Sequence, residues 1–153
     1  MLTTCINGLT VSFDDDAIGP WVCEKTGGTW VNGRGTAIGL VKGGEIQAGV
    51  LYEDFSGSNI VCHIAGKGGW ASRSFLALIF HYPFVQLGAK RITAPVGSTN
   101  VTSINLVCLM GFELECTLDQ AIPEGDLHLF RMWRHDCKYL KGPYGKVKHS
   151  TAS

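Results

Sequence analysis

The stretch HIAGKGGWAS (63–72) joins three kinds of sequence. An apolar, alternating run enters it, glycines surround Lys67, and a helical-period run leaves it. That order predicts a strand, a glycine-rich loop and a helix. The backbone N–H groups of such a loop, with the first turn of the following helix, form a nest for a phosphate or pyrophosphate. Gly66, Gly68 and Gly69 allow close approach of an anion, and Lys67 adds positive charge. The loop has neither the GK[ST] ending of a Walker A motif nor a GxGxxG spacing, so it belongs to neither nucleotide fingerprint.

Working outward, NIVCHIA (59–65) places Ile60, Cys62 and Ile64 on one face of a strand and Val61 and His63 on the other. Before it, TAIGLV (36–41) and EIQAGVLYED (45–54) alternate in the same way, separated by Lys42-Gly43-Gly44, with Ser56-Gly57-Ser58 as the next turn. These three runs predict an antiparallel meander. LTVSF (9–13) is a further short strand. Asp14, Asp15 and Asp16 mark a helix start, and Gly19-Pro20 is expected to break or restart that helix. Residues 29–35 are expected to form a loop.

After the glycines the period changes. WASRSFLALIFHYPFVQLG (70–88) carries Phe75, Leu76, Ile79 and Phe80 at helical spacing, with Pro83 kinking or shortening the helix. KRITAPV (90–96) is a strand. Asn100 to Met110 is a second helix, capped by Gly111. FELECTL (112–118) and DLHLFRMWR (126–134) are two more strands. Strands interleaved with helices in this order predict one α+β domain with a mixed sheet.

Composition narrows the function classes. The chain has 153 residues, 45% hydrophobic and 17% charged, with thirteen basic and thirteen acidic side chains. It can bury a real core, and it is not a polycation built to coat nucleic acid. No run reaches the ~18 apolar residues of a membrane span. The first residues lack the basic start and apolar core of a signal peptide, so a cytoplasmic protein is expected. Cysteines 5, 23, 62, 108, 116 and 137 form no CxxC pair, so no metal site is expected. Most lie among apolar neighbours, as in IVCHI and LVCLM, and are expected to be buried, reduced thiols. From Arg134 to His149 basic residues outnumber the single Asp136. With Gly142, Pro143 and Gly145, residues 141–153 are expected to form a basic, flexible tail beyond a domain at 1–140.

Two segments together carry a family resemblance. AGKGGWA (65–71), with Asn100, Ser103, Leu106 and the Met110-Gly111-Phe112 exit of the second helix, resembles the acyl-CoA-binding core of the GNAT superfamily of N-acetyltransferases. IQAGVLYEDFSGSNI (46–60), FHYPFVQLGAKRITAPV (80–96) and FRMWRHDCKYL (130–140) resemble small phage and prophage members in particular. The likeness covers about residues 10–140.

The resemblance implies a mostly antiparallel sheet with helices on both faces, and acetyl transfer from acetyl-CoA to an amine of a small molecule or protein, without a metal. The strand before the loop would open away from its neighbour and hold the pantetheine arm along His63, Ile64 and Ala65. The pyrophosphate would rest on the amides of Gly66, Lys67, Gly68, Gly69, Trp70 and Ala71, with Ser72 at the helix start. Asn100, Ser103 and Leu106 would line the pantetheine side. Two positions depart from the family pattern. Gly66 stands where a Gln or Arg is usual, and Val107 stands where many members carry a Tyr as general acid. Cys108, Tyr82 or water are left as substitutes, although LVCLMGF predicts burial for Cys108.

Direct acyl transfer needs a neutral, aligned amine and a group to take its proton. His63 is the first candidate base, since it lies beside the acyl site and titrates near neutrality. Glu53 and Asp54 could attract a cationic acceptor or be solvated turn residues. Trp21, Trp30 and Trp70 could wall an acceptor pocket or simply pack. Two alternatives share the fold: modification of a nucleobase or tRNA amino group, which net neutrality disfavours, and a CoA-binding or partner-binding protein without catalysis. A homodimer is compatible with the sequence.

Overall fold

The computed structural model describes residues 5–140. Eight strands form one sheet: β1 (Cys5–Ile6), β2 (Leu9–Ser12), β3 (Thr36–Lys42), β4 (Glu45–Glu53), β5 (Asn59–Gly66), β6 (Arg91–Gly97), β7 (Glu113–Ile122) and β8 (Gly125–Trp133). Their spatial order is β1-β2-β3-β4-β5-β6-β8-β7. All pairings are antiparallel except β5 with β6, which run parallel. The helices are α1 (Asp15–Thr26), α2 (Arg73–His81) and α3 (Val101–Met110). The expected mixed, mostly antiparallel sheet is therefore present. The expected tail at 141–153 lies outside the described residues.

The two faces of β4 part the core. Ala48, Val50 and Tyr52 join the main apolar cluster with Phe75, Phe80 and Phe84, while Leu51 joins Ile18, Val22 and Ala37 under α1. Period-2 alternation buried on both sides explains the nearly continuous apolar run at 46–52. Each fully buried Phe stabilises the fold by roughly 1.5–3 kcal/mol relative to exposure. Helix α1 packs directly on the sheet where Gly39 and Gly49 face each other across β3 and β4. A β-carbon on Gly49 would stand 2.8 Å from methyl carbons of both Ile18 and Val22.

Helix α1 runs unbroken through Gly19-Pro20, contrary to the expected break. The N–H that Pro20 lacks would have bonded the carbonyl of Asp16, and Asp16 is on the exposed side, where solvent can serve it. Gly19 is also fixed by packing, since a β-carbon there would run into the Trp30 ring. Asp14 caps the helix through Ala17 N–H, and Asp15 Oδ1 accepts from Ala37 N–H at 2.8 Å, which ties α1 to β3.

Helix α2 is shorter than its apolar pattern. Ser72 caps it, His81 ends it, and a π-turn over Tyr82–Gln86 follows across Pro83. Helix α3 buries only Val107 and Met110. Cys108 is therefore exposed, against expectation, because it points away from the sheet. Cys5 and Cys116 are exposed as well, and Cys23, Cys62 and Cys137 are buried. Cys116 lies on the edge strand β7, whose residues 113–121 are exposed throughout.

Candidate acyl-transfer site

The site starts where two strands part. Strands β5 and β6 pair only at Asn59↔Arg91, Ile60↔Ile92 and Val61↔Thr93. Beyond that, β5 stays paired with β4 as far as Gly66, and β6 stays paired with β8 as far as Gly97. Residues 62–66 and 94–97 thus face a gap with no ladder between them. Alternate N–H and C=O groups along the inner edge of β5 are free to bond something else. Pro95, which has no N–H to offer, lies in this unpaired stretch. A recess in the gap is lined by Cys62, His63, Ile64, Asn100, Ser103 and Val107, among others.

At one end of the gap lies the glycine loop. Three of its amides are already used: Lys67 N–H donates to Gln47 O, Trp70 N–H to Gly68 O and Ser72 N–H to Trp70 O, each at 2.9 Å. The amides of Gly68, Gly69 and Ala71, and those of Arg73 and Ser74 in the first turn of α2, have no acceptor among the described residues. Those five groups, at the positive end of a helix dipole, suit an anion. The space beside Gly69 is open, since a β-carbon there meets nothing within 4 Å. Lys67 directs its Nζ to Glu45 Oε1 at 2.9 Å rather than toward the loop. Both partners are largely exposed, so that contact is weak and can be exchanged.

Gly66 has a packing reason for its identity. A β-carbon on it would collide with the Trp70 indole, which is 6% exposed and stands edge-on to Phe75. Trp70 is thus part of the main core, not the wall of an acceptor pocket. Trp21 and Trp30 pack, partly buried, against the smaller cluster under α1.

On the other side of the gap, Asn100 caps α3: its Oδ1 accepts from Ser103 N–H at 3.2 Å. Asn100, Ser103 and Val107 all line the recess, whereas Leu106 packs against the main core. Neither Cys108 nor Tyr82 is among the lining residues. Ala65 is buried beside the recess.

His63 stands on the α1 face of β5, with Nε2 at 3.1 Å from Glu53 Oε1. The two are diagonal neighbours across β4 and β5, in the register Leu51↔His63 and Glu53↔Val61. Burial lowers the imidazole pKa below its ordinary 6.5, and Glu53 opposes that shift. In the tautomer that donates Nε2–H to Glu53, Nδ1 is the basic nitrogen. Glu53 is itself 7% exposed, not a solvated turn residue. Its Oε2 makes no hydrogen bond, and the nearest cation is Arg34, with Nε at 3.6 Å. Asp54, exposed and at φ 56°, bonds Arg34 Nη2 at 3.1 Å. No motif in the sequence singles out Arg34. The hairpin register, in which paired residue numbers sum to a constant, would have brought Glu53 to His63.

The parted parallel strands, the loop amides at the start of α2 and the capped α3 match one known architecture. The chain has the GNAT fold. Its structure aligns with a mutant form of the spermidine/spermine N-acetyltransferase SpeG from Vibrio cholerae (TM-score 0.65, 13% identity, 86% of this chain and 97% of that one). It aligns similarly with a GNAT-family acetyltransferase from Bacillus anthracis (TM-score 0.61, 13% identity, 88% and 99%). A structure described as a probable acetyltransferase gives 0.64 at 12% identity, over 88% and 98%. At such identities the likeness is one of fold. No family model and no curated protein matches the chain. Among the described residues, no group of three or more His, Cys, Asp or Glu is placed to hold a metal ion, and no helix is long and apolar enough to cross a membrane. Val107 is 3% exposed and lines the recess.

Proposed function

We propose that the protein is an acetyl-CoA-dependent N-acetyltransferase, with an amine of a small molecule or protein as acceptor. The observation that carries this reading is the gap between β5 and β6, with five unpaired amides at one end and a neutral imidazole on its wall. These groups fit acetyl-CoA. The amides of Gly68, Gly69, Ala71, Arg73 and Ser74 would hold the pyrophosphate, and the free inner edge of Cys62–Gly66 would bond the pantetheine arm. The co-substrate supplies an acyl group activated as a thioester. The chain supplies alignment and polarisation by a β5 backbone N–H. His63 Nδ1, directly or through a water, takes the proton from the attacking amine. Among the described residues no tyrosine lines the recess, and the reading takes the thiol's proton from solvent. The reading places the protein in the cytoplasm, where acetyl-CoA is available.

One observation favours a second reading. Val107 in the tyrosine position would suit a protein that binds CoA without turning it over.

Gly69→Glu tests the site. The side chain has room, so the fold should survive, but its carboxylate would meet the pyrophosphate. Acetyl-CoA should then bind about tenfold or more weakly. Affinity equal to the parent's would remove the loop from the site. Thiol release from acetyl-CoA with an amine panel separates the two readings: release supports the enzyme, and tight binding with no release on any acceptor supports the binding protein.

A further inference from the structure

The carboxylate pair at the end of β4 is poorly served by its present partner. Glu53 is buried, its Oε1 is held by His63, and its Oε2 has no hydrogen bond. Arg34 approaches Oε2 no closer than 3.6 Å, which is beyond hydrogen-bond range. Burying a carboxylate oxygen without a donor is costly, so the arrangement would be improved by a cation that fits better. Arg34 itself is half exposed, on the turn Val31–Arg34 in the segment between α1 and β3. Its other bond goes to Asp54, which is exposed and held in the left-handed region, so the carboxylate side chains of 53 and 54 both reach the same guanidinium. Cys23 adds no competing charge, since burial and the charge of Glu53 push its thiol up.

We infer that Glu53 and Asp54 form a seat for a cationic group of the acceptor, and that Arg34 holds this seat until the acceptor displaces it. The inference rests on the acetyltransferase reading for the term "acceptor", and it names a substrate class: amines with a second positive charge. His63 both lines the gap and bonds Glu53, so one imidazole separates the acyl site from the seat. A short diamine can therefore present one neutral nitrogen at His63 while its ammonium sits between the two carboxylates. An ammonium has three N–H donors, enough to reach Oε2 and Asp54 together. Arg34 then acts as an internal competitor for the seat, and a monoamine whose ammonium takes the seat has no second nitrogen to present at His63.

The test compares binding of diaminobutane and butylamine to the full chain by calorimetry, in the parent, Arg34→Ala, Arg34→Lys and Asp54→Asn. With the competitor removed, Arg34→Ala should bind both amines, each through an ammonium, about tenfold more tightly. Arg34→Lys should stay near the parent, and Asp54→Asn should weaken both amines. Diaminobutane binding that is unchanged or weaker in Arg34→Ala, or undetectable in every form, overturns the seat. Thiol release measured in parallel keeps the two proposals apart. Turnover of both amines with no response to Arg34→Ala sinks the seat and spares the enzyme. Tighter diamine binding without thiol release supports the seat and sinks the enzyme.

Discussion

The buried hydroxyl of Tyr52 donates to the backbone carbonyl of Ile79. Pro83 explains why that carbonyl is available. In an uninterrupted helix the N–H of residue 83 would bond the carbonyl of residue 79, and proline has none. The chain instead forms a π-turn closed by Leu87 N–H to Tyr82 O at 3.0 Å, and a side chain from β4 takes the vacant acceptor. Helix α2 is thereby joined to the strand that carries Glu53.

Tyr52→Phe removes one hydroxyl and leaves the Ile79 carbonyl buried without a donor. The cost should be about 1–3 kcal/mol. For a chain of this size that lowers Tm by about 2–4 °C per kcal/mol. Thermal unfolding of the two proteins measures it. An unchanged Tm would mean the bond contributes nothing beyond packing.

Gly66 and Trp70 should depend on each other. Gly66→Ala places a methyl group inside the indole, so the ring must move, at a cost of about 1–3 kcal/mol. Because the displaced ring lies in the loop, acetyl-CoA affinity should fall too. Adding Trp70→Ala removes the clash, so the double variant should lose less than the sum of the single losses. Strict additivity in unfolding measurements would show that the ring never fills that space.

The elements were legible where side-chain period was strong. The runs at 36–41, 45–54 and 59–65 are strands within a residue or two, and Phe75, Leu76, Ile79 and Phe80 do mark a helix. Asn7-Gly8 is a hairpin turn with both residues at positive φ, but its first strand, Cys5–Ile6, is too short to show alternation. Helix α1 was obscured because a proline signal is local, whereas the glycine pair that seats the helix belongs to two other strands. Cys108 misled because apolar neighbours in sequence need not share a face. The gap between β5 and β6 is a tertiary event with no signature of its own, and only the family resemblance pointed to it. Glu53 at a strand end shows no period, and what buries it is the pairing with β5.

The pH dependence of turnover should follow His63. Burial holds its pKa below 6.5, so the acidic limb of kcat/KM should lie below that value. The charge of Glu53 raises the imidazole pKa, so Glu53→Gln should move the limb to still lower pH. Stability should show the same group. A histidine depressed in the folded state contributes stability above the unfolded pKa of 6.5 that is lost as pH falls through the folded value. His63→Gln should flatten both profiles in that window. Parallel profiles in parent and variant would assign the titration elsewhere.

Thiol chemistry separates the cysteines by position. Burial pushes the Cys62 thiol up to about 12, and Cys23 is also raised, so neither forms appreciable thiolate at pH 8. Cys137 is buried as well. Cys5, on the two-residue strand β1, Cys108, on the outer side of α3, and Cys116, on the edge strand β7, are open to reagent. Iodoacetamide on the native protein should therefore add to those three and spare the others, with all six labelled after unfolding in guanidinium. Intact-mass and peptide analysis resolve the sites. Bound acetyl-CoA should change none of the three exposed sites, because none lines the recess. Rapid labelling of Cys62 in the native state, slowed by acetyl-CoA, would instead show that the gap opens wide enough to ionise its wall.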